Sequence, residues 1–156
     1  MSQKRNLLKN VYLFKTLTEE EINVINEIAE MKTYNAGDIV FTESSPSEAM
    51  FVINFGSVRI QQKTKDGDDL EIAVLGTGSH FGEMGFLDQE KRSASAVAIE
   101  KSDIISIKYD DLKKALESDV NIAKDFYQSL SNFLIRRLRI TTTDLSFSRQ
   151  KNLSHF

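Results

Sequence analysis

The sequence has no cysteine and only two histidines, His80 and His155, among its 156 residues. The absence of cysteine excludes disulfides, thiolate metal sites and cysteine nucleophiles. A histidine-based metal centre or a Ser-His-Asp triad would have to use one of two residues that lie far apart in the chain. The composition therefore disfavours the classes of enzyme that depend on such groups.

The chain also lacks long apolar runs and an excess of positive charge. No stretch approaches 18 consecutive apolar residues, which predicts no membrane span, and the N-terminal MSQKRNLLKN lacks the apolar core of a secretory signal. The 20 Lys and Arg against 23 Asp and Glu leave a net charge of -3, whereas a protein that coats DNA or an acidic membrane leans basic. We expect a cytoplasmic, single-domain protein that binds neither nucleic acid nor membrane.

Helical periodicity is confined to the two ends of the chain. Residues 18–31 carry isoleucines at helical spacing, and Thr18 with Glu21 matches a capping box. Residues 110–117 fit a short helix, and residues 119–145 fit a long one of about 40 Å. The apolar stripe of the long helix contains Ile122, Phe126, Leu130, Phe133, Leu134, Leu138 and Leu145.

A stripe this long exceeds what a small barrel can cover, which predicts that part of the long helix meets a second copy of the chain or a partner. The alternative is that the stripe folds back on the barrel and on the N-terminal helix. The tail of residues 146–156 is polar and is predicted to be frayed.

The middle of the chain, residues 33–108, has strand periodicity. Leu70, Ile72 and Val74 alternate with more polar neighbours, as in a strand with one buried face. Residues 65–68, Lys-Asp-Gly-Asp, predict a hairpin between two such runs. Short strands at this spacing are typical of an antiparallel barrel or jelly roll. The predicted organisation is a helical segment at 1–32, a β-roll at 33–108, helices at 109–145 and the tail.

Residues 78–94 combine residue types that suit a sugar phosphate. Gly82 allows close approach of the backbone to a ligand, and residues 83–88 are predicted to form one helical turn whose free amides suit an anion. Arg92 offers a planar fork of donors to a phosphate. Glu83 only accepts hydrogen bonds when ionised, which suits a sugar hydroxyl beside that phosphate. On spacing alone, a Glu83–Arg92 salt bridge that closes a surface loop explains the same residues equally well.

Several motifs, in order, resemble the cyclic nucleotide-binding domain family of protein kinase A regulatory subunits, cyclic nucleotide-gated channels and bacterial catabolite activators. The resemblance covers residues 10–140. Phe51–Val58 is similar to the family's aromatic-x-Ile-x-x-Gly-x-Val strand pair, and Leu75–Glu83 to its Leu-x-x-Gly-x-x-Phe-Gly-Glu motif. Arg92-Ser93-Ala94 resembles the end of the family's phosphate-binding cassette, here residues 78–94. The resemblance implies a mainly β α+β fold, an antiparallel β-roll flanked by N-terminal helices and a long C-terminal helix.

The resemblance also implies a role for each matching residue. Glu83 would accept from the ribose 2′-hydroxyl, and Arg92 would pair with the cyclic phosphate. The phosphate cradle would be completed by the Ser93 hydroxyl and by backbone amides near Gly82, Glu83, Ser93 and Ala94, with Met84 in the same turn. The apolar wall against the base would consist of Ile60, Ile72 and Leu75. A place in the barrel core explains these three residues as well.

A second likeness concerns the long helix. Residues 135–143 resemble the part of the catabolite activators' dimer helix that carries base-contacting hydroxyls, and Thr141 and Thr142 fall on those positions. This likeness favours cAMP, although a threonine hydroxyl both donates and accepts and so suits cGMP as well. The alternative is that the threonine run merely ends the helix, because β-branched residues are mediocre helix formers.

These observations together predict a non-enzymatic regulatory module that needs no metal or cofactor, binds cAMP, with cGMP as the alternative ligand, and repositions its C-terminal helix. Only about 11 residues follow Leu145, too few for a helix-turn-helix domain, so we expect a stand-alone module in which Arg136, Arg137 and Arg139 form a solvated helix face. Its partners are expected to be a second copy through the C-terminal helix or a separate effector protein. The alternatives are a ligand-free scaffold of the same fold, which has no need for both Glu83 and Arg92, and a metal enzyme of the cupin type, which lacks the usual histidines.

Overall fold

Two four-stranded antiparallel sheets form a β-roll in the computed structural model of the protein, which describes residues 8–153. The sheets have the strand orders β1-β8-β3-β6 and β2-β7-β4-β5. The mainly β architecture with a long C-terminal helix is the one predicted. The strands are β1 (Ala29–Tyr34), β2 (Ile39–Phe41), β3 (Ala49–Phe55), β4 (Ser57–Lys63), β5 (Asp69–Gly76), β6 (His80–Phe81), β7 (Ser95–Ala98) and β8 (Ser102–Lys108). The helices are a 3-10 turn (Tyr12–Phe14), α1 (Glu19–Ile28), α2 (Met84–Asp88), α3 (Tyr109–Ser118) and α4 (Val120–Leu153).

The first helix, α1, begins where the capping box predicts. The Thr18 hydroxyl accepts from the Glu21 amide at 3.2 Å, and the Glu21 carboxylate accepts from the Thr18 amide at 2.9 Å. The predicted end at residue 31 is wrong, because Ala29 already pairs with Ile107 of β8. Pairing along β1 outweighs the helical spacing of the isoleucines.

Strand β3 separates two apolar cores. Met50 and Val52 belong to the larger core, between one sheet and the helices, while Phe51 and Ile53 belong to the smaller core inside the roll. Successive side chains of a strand point to opposite faces, so β3 is apolar on both faces and shows no alternation in the sequence.

The predicted hairpin is present between β4 and β5, where the Thr64 amide donates to the Asp68 carbonyl at 2.8 Å and Gly67 has a positive φ of 86°. The predicted buried face of β5 is wrong, since Leu70, Ile72 and Val74 are each about half exposed. Strand β5 lies at the edge of its sheet and pairs only with β4, and the register shift at Ile72 keeps these three residues from sharing one face.

The long helix α4 packs on the body through its first four turns and then leaves it. Phe126 lies 6.2 Å from Phe14 between ring centroids, whereas Leu138 and Leu145 of the predicted stripe are 67% and 54% exposed. Within this chain, the alternative in which the whole stripe folds back is therefore wrong.

The predicted end of the long helix at residue 145 is also wrong, because α4 continues to Leu153. No proline or glycine follows Gly85 in the sequence, so no helix breaker interrupts α4. The rest of the predicted tail, residues 154–156, lies outside the described part. None of the helices within residues 8–153 has the length and apolar character needed to cross a membrane.

Candidate functional site

A cavity of about 240 Å³ lies between the wall of the β-roll and residues 78–94. It contains both Glu83 and Arg92, which are 5% and 8% exposed. A hollow therefore separates the barrel wall from the two charged residues. The predicted site residues that line the cavity are Ile60, Ile72, Leu75, Gly82, Glu83, Met84, Arg92, Ser93 and Ala94.

Arg92 is held by backbone carbonyls. Its Nη1 donates to the Gly82 carbonyl at 3.1 Å, and its Nη2 donates to the Ala49 carbonyl at 2.6 Å. Among the described residues no ion pair joins Arg92 to Glu83. The surface-loop salt bridge that spacing alone allowed is therefore wrong.

Aromatic rings surround the same guanidinium. Its central carbon lies 4.0 Å from the ring centroid of Phe41 and 5.8 Å from that of Phe51. Ring faces attract a cation that has lost part of its water, so they offset some of the cost of burying Arg92. The buried Nε makes no hydrogen bond with any described residue.

Tyr109, at the start of α3, completes the setting of Arg92. Its hydroxyl accepts from Arg92 Nη1 at 3.2 Å and donates to the Gly82 carbonyl through a short hydrogen bond. Burial raises the pKa of Tyr109, and the nearby Arg92 charge opposes this shift. The phenol thus remains a neutral donor at physiological pH. The sequence carried no signal for Tyr109, because 17 residues separate it from Arg92.

The backbone of Arg92 is fixed by the loop at residues 44–45. The Arg92 amide donates to the Ser45 carbonyl and the Ser44 amide donates to the Arg92 carbonyl, both at 2.8 Å. Ser44 has φ = 70°, a left-handed conformation that glycine adopts with less strain.

Gly82 is constrained by both its conformation and its neighbours. Its φ is 77°, and an added Cβ would lie 2.9 Å from Arg92 Nη1 and 3.3 Å from the Ala49 carbonyl oxygen. Gly82 therefore lies in close contact with the Arg92 side chain, whereas its predicted approach to a ligand stays a prediction.

Glu83 is buried beside a histidine. His80 Nδ1 lies 3.0 Å from Glu83 Oε1, yet neither atom makes a hydrogen bond of good geometry with a described residue. The predicted turn after Glu83 is α2, which begins at Met84. In the sequence, His80 suggests only a metal centre or a Ser-His-Asp triad. The sequence signal for its contact with Glu83 was that one of the two histidines lies three residues before that carboxylate.

A bulge in β5 brings the apolar wall together. Strand pairing steps from Ala73 opposite Ile60 to Glu71 opposite Gln61, so Ile72 is an extra residue. Residues three apart in a regular strand face opposite sides, but Ile72 and Leu75 line the same cavity. The extra residue changes the alternation locally.

The long helix contributes Arg137 to the cavity, and not the two threonines. Arg137 lines the cavity, and it is also exposed, as are Arg136 and Arg139, which agrees with the predicted solvated face. Thr141 and Thr142 are exposed, and neither lines the cavity within this chain. Thr142 lies instead in an open groove with Ile135 and Leu138. The two threonines do not reach the cavity because α4 has already left the β-roll at these positions.

Charges of both signs line the cavity. Within residues 8–153 there is no group of three His, Cys, Asp or Glu side chains that could hold a metal ion. The set offers donors for an anion, acceptors for hydroxyl groups and an apolar wall for a flat ring. Such an arrangement suits recognition of a small, polar, singly charged ligand. The charged lining residues are Glu83, Asp88, Glu90, Lys91, Arg92 and Arg137.

The family model of the cyclic nucleotide-binding domain matches residues 31–119. The cyclic AMP receptor protein of Thermus thermophilus is 30% identical over 148 residues, which cover 93% of this chain and 67% of that protein. A cGMP-dependent protein kinase of Caenorhabditis elegans is 33% identical over 98 residues, covering 62% of this chain and 13% of the kinase.

A solved structure of a similar protein has the same fold as this chain. The crystal structure of the catabolite activator protein of Thermus thermophilus superposes with a TM-score of 0.78 at 29% identity. The match covers 87% of this chain and 62% of that one. The chain thus spans only part of the length of the larger proteins that it resembles.

Proposed function

The chain belongs to the cyclic nucleotide-binding domain family, and from this we propose that it is a cAMP-binding regulatory module whose ligand repositions helix α4. The observation that carries the proposal is the cavity shared by buried Glu83 and buried Arg92. Buried charges are costly unless they have partners, and a cyclic nucleotide supplies a hydroxyl donor for one and an anionic phosphate for the other.

The phosphate is proposed to bind at Arg92 and the adjoining backbone. Arg92 Nε has no partner among the described residues, so it can donate to the phosphate while the terminal nitrogens keep their carbonyl partners. The Ser93 hydroxyl and the amides near Gly82 and Ala94 add uncharged donors. A site with one closely held cation suits a phosphate of single negative charge.

The ribose and the base are proposed to occupy the rest of the cavity. Glu83 accepts from the ribose 2′-hydroxyl, as its ionised form can only accept. The base lies between the wall of Ile60, Ile72 and Leu75 and the guanidinium of Arg137, which can stack on a flat ring. Ligand contact with Arg137 favours one position of α4 over another, which is the proposed output.

Calorimetric titration with cAMP and cGMP side by side tests this proposal. Saturable binding of one of them is expected, and ligand at about 100 times its dissociation constant should stabilise the folded state by about 2.7 kcal/mol. Absence of heat and of a melting shift with both nucleotides at millimolar concentration would contradict the proposal and favour the scaffold alternative.

The phosphate contact has its own test. Arg92→Ala should weaken binding by about 2–5 kcal/mol, because the ligand phosphate loses a buried charged partner. Arg59→Ala is the matched control, since Arg59 pairs with Glu71 on the surface away from the cavity. Equal affinity of Arg92→Ala and Arg59→Ala would place the ligand elsewhere.

The choice of cAMP over cGMP depends on the long helix. Relatives include both a cyclic AMP receptor protein and cGMP-dependent kinases, and the Ser93 hydroxyl can bond to either ligand. In a dimer formed through α4, Thr141 and Thr142 would approach the base and accept from an adenine amine. Thr141→Val and Thr142→Val should then weaken cAMP binding by about 1 kcal/mol each, whereas an effect on cGMP alone would favour the cGMP alternative.

The exposed part of α4 is the proposed contact with a partner. Ile135, Leu138 and Leu145 are each at least half exposed, and apolar residues at this spacing favour a helical seam with a second copy. A separate effector protein is the other candidate for the same surface. The oligomeric state with and without nucleotide distinguishes the two.

A further inference from the structure

We propose that His80 is a positioning residue for the ribose: its neutral ring donates from Nδ1 to Glu83 Oε1 and so presents the other carboxylate oxygen to the 2′-hydroxyl of the nucleotide. The inference rests on the proposed function and deepens it, because it concerns how the same cavity recognises the sugar of its ligand. It starts from a contact between two buried side chains that the proposed phosphate and base contacts do not use.

The chain brings His80 and Glu83 together by a turn at Gly82. His80 lies in β6, where it pairs with Val52 of β3, and β6 ends at Phe81. Residues three apart in a regular strand face opposite sides, but Gly82 has φ = 77° and changes the direction of the chain before Glu83. His80 Nδ1 consequently lies 3.0 Å from Glu83 Oε1, and the two residues are 8% and 5% exposed.

The chemistry of these two atoms indicates where the proton lies. Nδ1 and Oε1 are both buried and make no hydrogen bond of good geometry with a described residue. A neutral histidine carries its proton on one ring nitrogen, and an ionised carboxylate only accepts. Buried polar atoms are nearly always satisfied, so the proton belongs on Nδ1, where a small rotation of either side chain completes the hydrogen bond. This arrangement adds no net charge to the cavity.

The long helix holds the histidine ring in place. The ring centroid of Phe133, on α4, lies 4.4 Å from that of His80, with 57° between the ring planes. This contact restricts rotation of the imidazole and keeps Nδ1 beside Glu83. Recognition of the ribose therefore depends on α4, through Phe133, as well as on the phosphate-binding cassette.

The two oxygens of Glu83 then have separate partners. Oε1 is occupied by His80, which leaves the second oxygen for the ribose. A carboxylate that is already held at one oxygen loses less rotational freedom on binding a ligand than a free one does. Without the histidine donor, Oε1 stays unsatisfied in a buried site, which is costly and favours other orientations of the carboxylate. The 2′-hydroxyl is thus the part of the ligand whose contribution depends on His80.

Calorimetric titration with cAMP and with 2′-deoxy-cAMP tests this role. Because the 2′-hydroxyl bonds to a charged group, the wild type should bind cAMP about tenfold to a hundredfold more tightly than 2′-deoxy-cAMP. His80→Phe keeps an aromatic ring against Phe133 but removes the donor, and the preference should fall to about threefold or less. His80→Leu, which also lacks the donor, gives the same comparison if His80→Phe fails to fold.

Two further variants separate positioning from general damage to the fold. The amide nitrogen of asparagine can take the place of Nδ1, so His80→Asn should keep the preference within about threefold of the wild type. Ser93→Ala is the matched control, since it removes a proposed phosphate contact and should weaken both nucleotides equally, with the preference unchanged. A merely structural role of His80 would likewise weaken both ligands by the same factor.

The position of the proton can be observed directly in the free protein. A long-range proton–nitrogen NMR spectrum at mildly alkaline pH should show the proton of His80 on Nδ1. His155→Gln identifies the signals, because the sequence has only two histidines.

Several results would overturn the inference while cyclic nucleotide binding stands. They are a proton on Nε2 alone, a wild type without the preference for cAMP over 2′-deoxy-cAMP, a preference retained in His80→Phe, and a preference lost equally in His80→Phe and His80→Asn. If the wild type binds neither cAMP nor cGMP, the proposed function and this inference fall together.

Discussion

The guanidinium of Arg92 and the phenol of Tyr109 are joined by a hydrogen bond of 3.2 Å, and both donate to the carbonyl of Gly82. This relationship ties the cavity to the first residue of α3. A single residue, Asp119, separates α3 from α4, so under the proposed function a movement of Arg92 toward a ligand would act on both helices through Tyr109.

Loss of the phenol should change the response of the protein to alkali. The pKa of Tyr109 is raised, chiefly by burial, so the folded state retains the proton at a pH where the unfolded chain has lost it. The contribution of Tyr109 is fully present below pH 10 and declines as pH rises further. Tyr109→Phe should therefore lose stability less steeply between pH 9.5 and 11, measured by thermal melting.

Tyr34 is the control for this experiment. Its pKa is also raised by burial, with a further contribution from Asp38, but it lies in the core inside the roll and does not contact Arg92. Tyr34→Phe should share the alkaline effect and leave nucleotide affinity unchanged, whereas Tyr109→Phe should weaken binding by about 1 kcal/mol. Equal affinities of the two variants would argue against a role for Tyr109 in positioning Arg92.

Gly82 should tolerate a methyl group poorly. Both Gly82→Ala and Gly78→Ala place alanine at a positive φ, which costs about 1–2 kcal/mol. Only at Gly82 does the new Cβ also approach Arg92 Nη1 and the Ala49 carbonyl, while at Gly78 nothing lies within 4 Å. Chemical denaturation should show a larger loss of stability for Gly82→Ala, and cAMP titration a loss of affinity that is absent from Gly78→Ala.

Ser44→Gly should stabilise the protein. Ser44 adopts φ = 70°, and glycine relieves this strain, which we expect to raise the free energy of unfolding by about 0.5–1 kcal/mol. Ser45 has no positive φ, and its hydroxyl donates to the Thr42 carbonyl at 2.5 Å, so Ser45→Gly should be destabilising. Urea denaturation of the two variants gives the comparison, and a lower stability of Ser44→Gly would show that the loop depends on the serine side chain.

Charge on the exposed face of α4 should prevent self-association. Leu138→Glu and Leu145→Glu place carboxylates where a helical seam would bury apolar side chains, which opposes dimer formation. Asn121→Glu adds the same charge at an exposed position in the first turn of α4, far along the helix from Leu138, and should have no effect. Sedimentation velocity distinguishes these outcomes, and unchanged sedimentation of Leu138→Glu from a dimeric wild type would place the interface elsewhere.

Local patterns determined the parts of this protein that depend on neighbours in the chain. The Thr18–Glu21 capping box, the β4–β5 hairpin and the turn after Glu83 each depend on residues a few positions apart, and spacing predicted all three. The family motifs around Glu83 and Arg92 identified the family for the same reason, because their spacing is readable without a structure.

The tertiary structure alone decided how the site is assembled. Arg92 takes its partners from Gly82, Tyr109 and Ala49, at separations of 10, 17 and 43 residues. The bulge at Ile72 and the contact of His80 with Phe133 likewise depend on how strands and helices meet. Periodicity reports which face of an element is apolar, but it carries no information about which distant element covers that face, and so the partners of buried charges are determined only when the chain is packed.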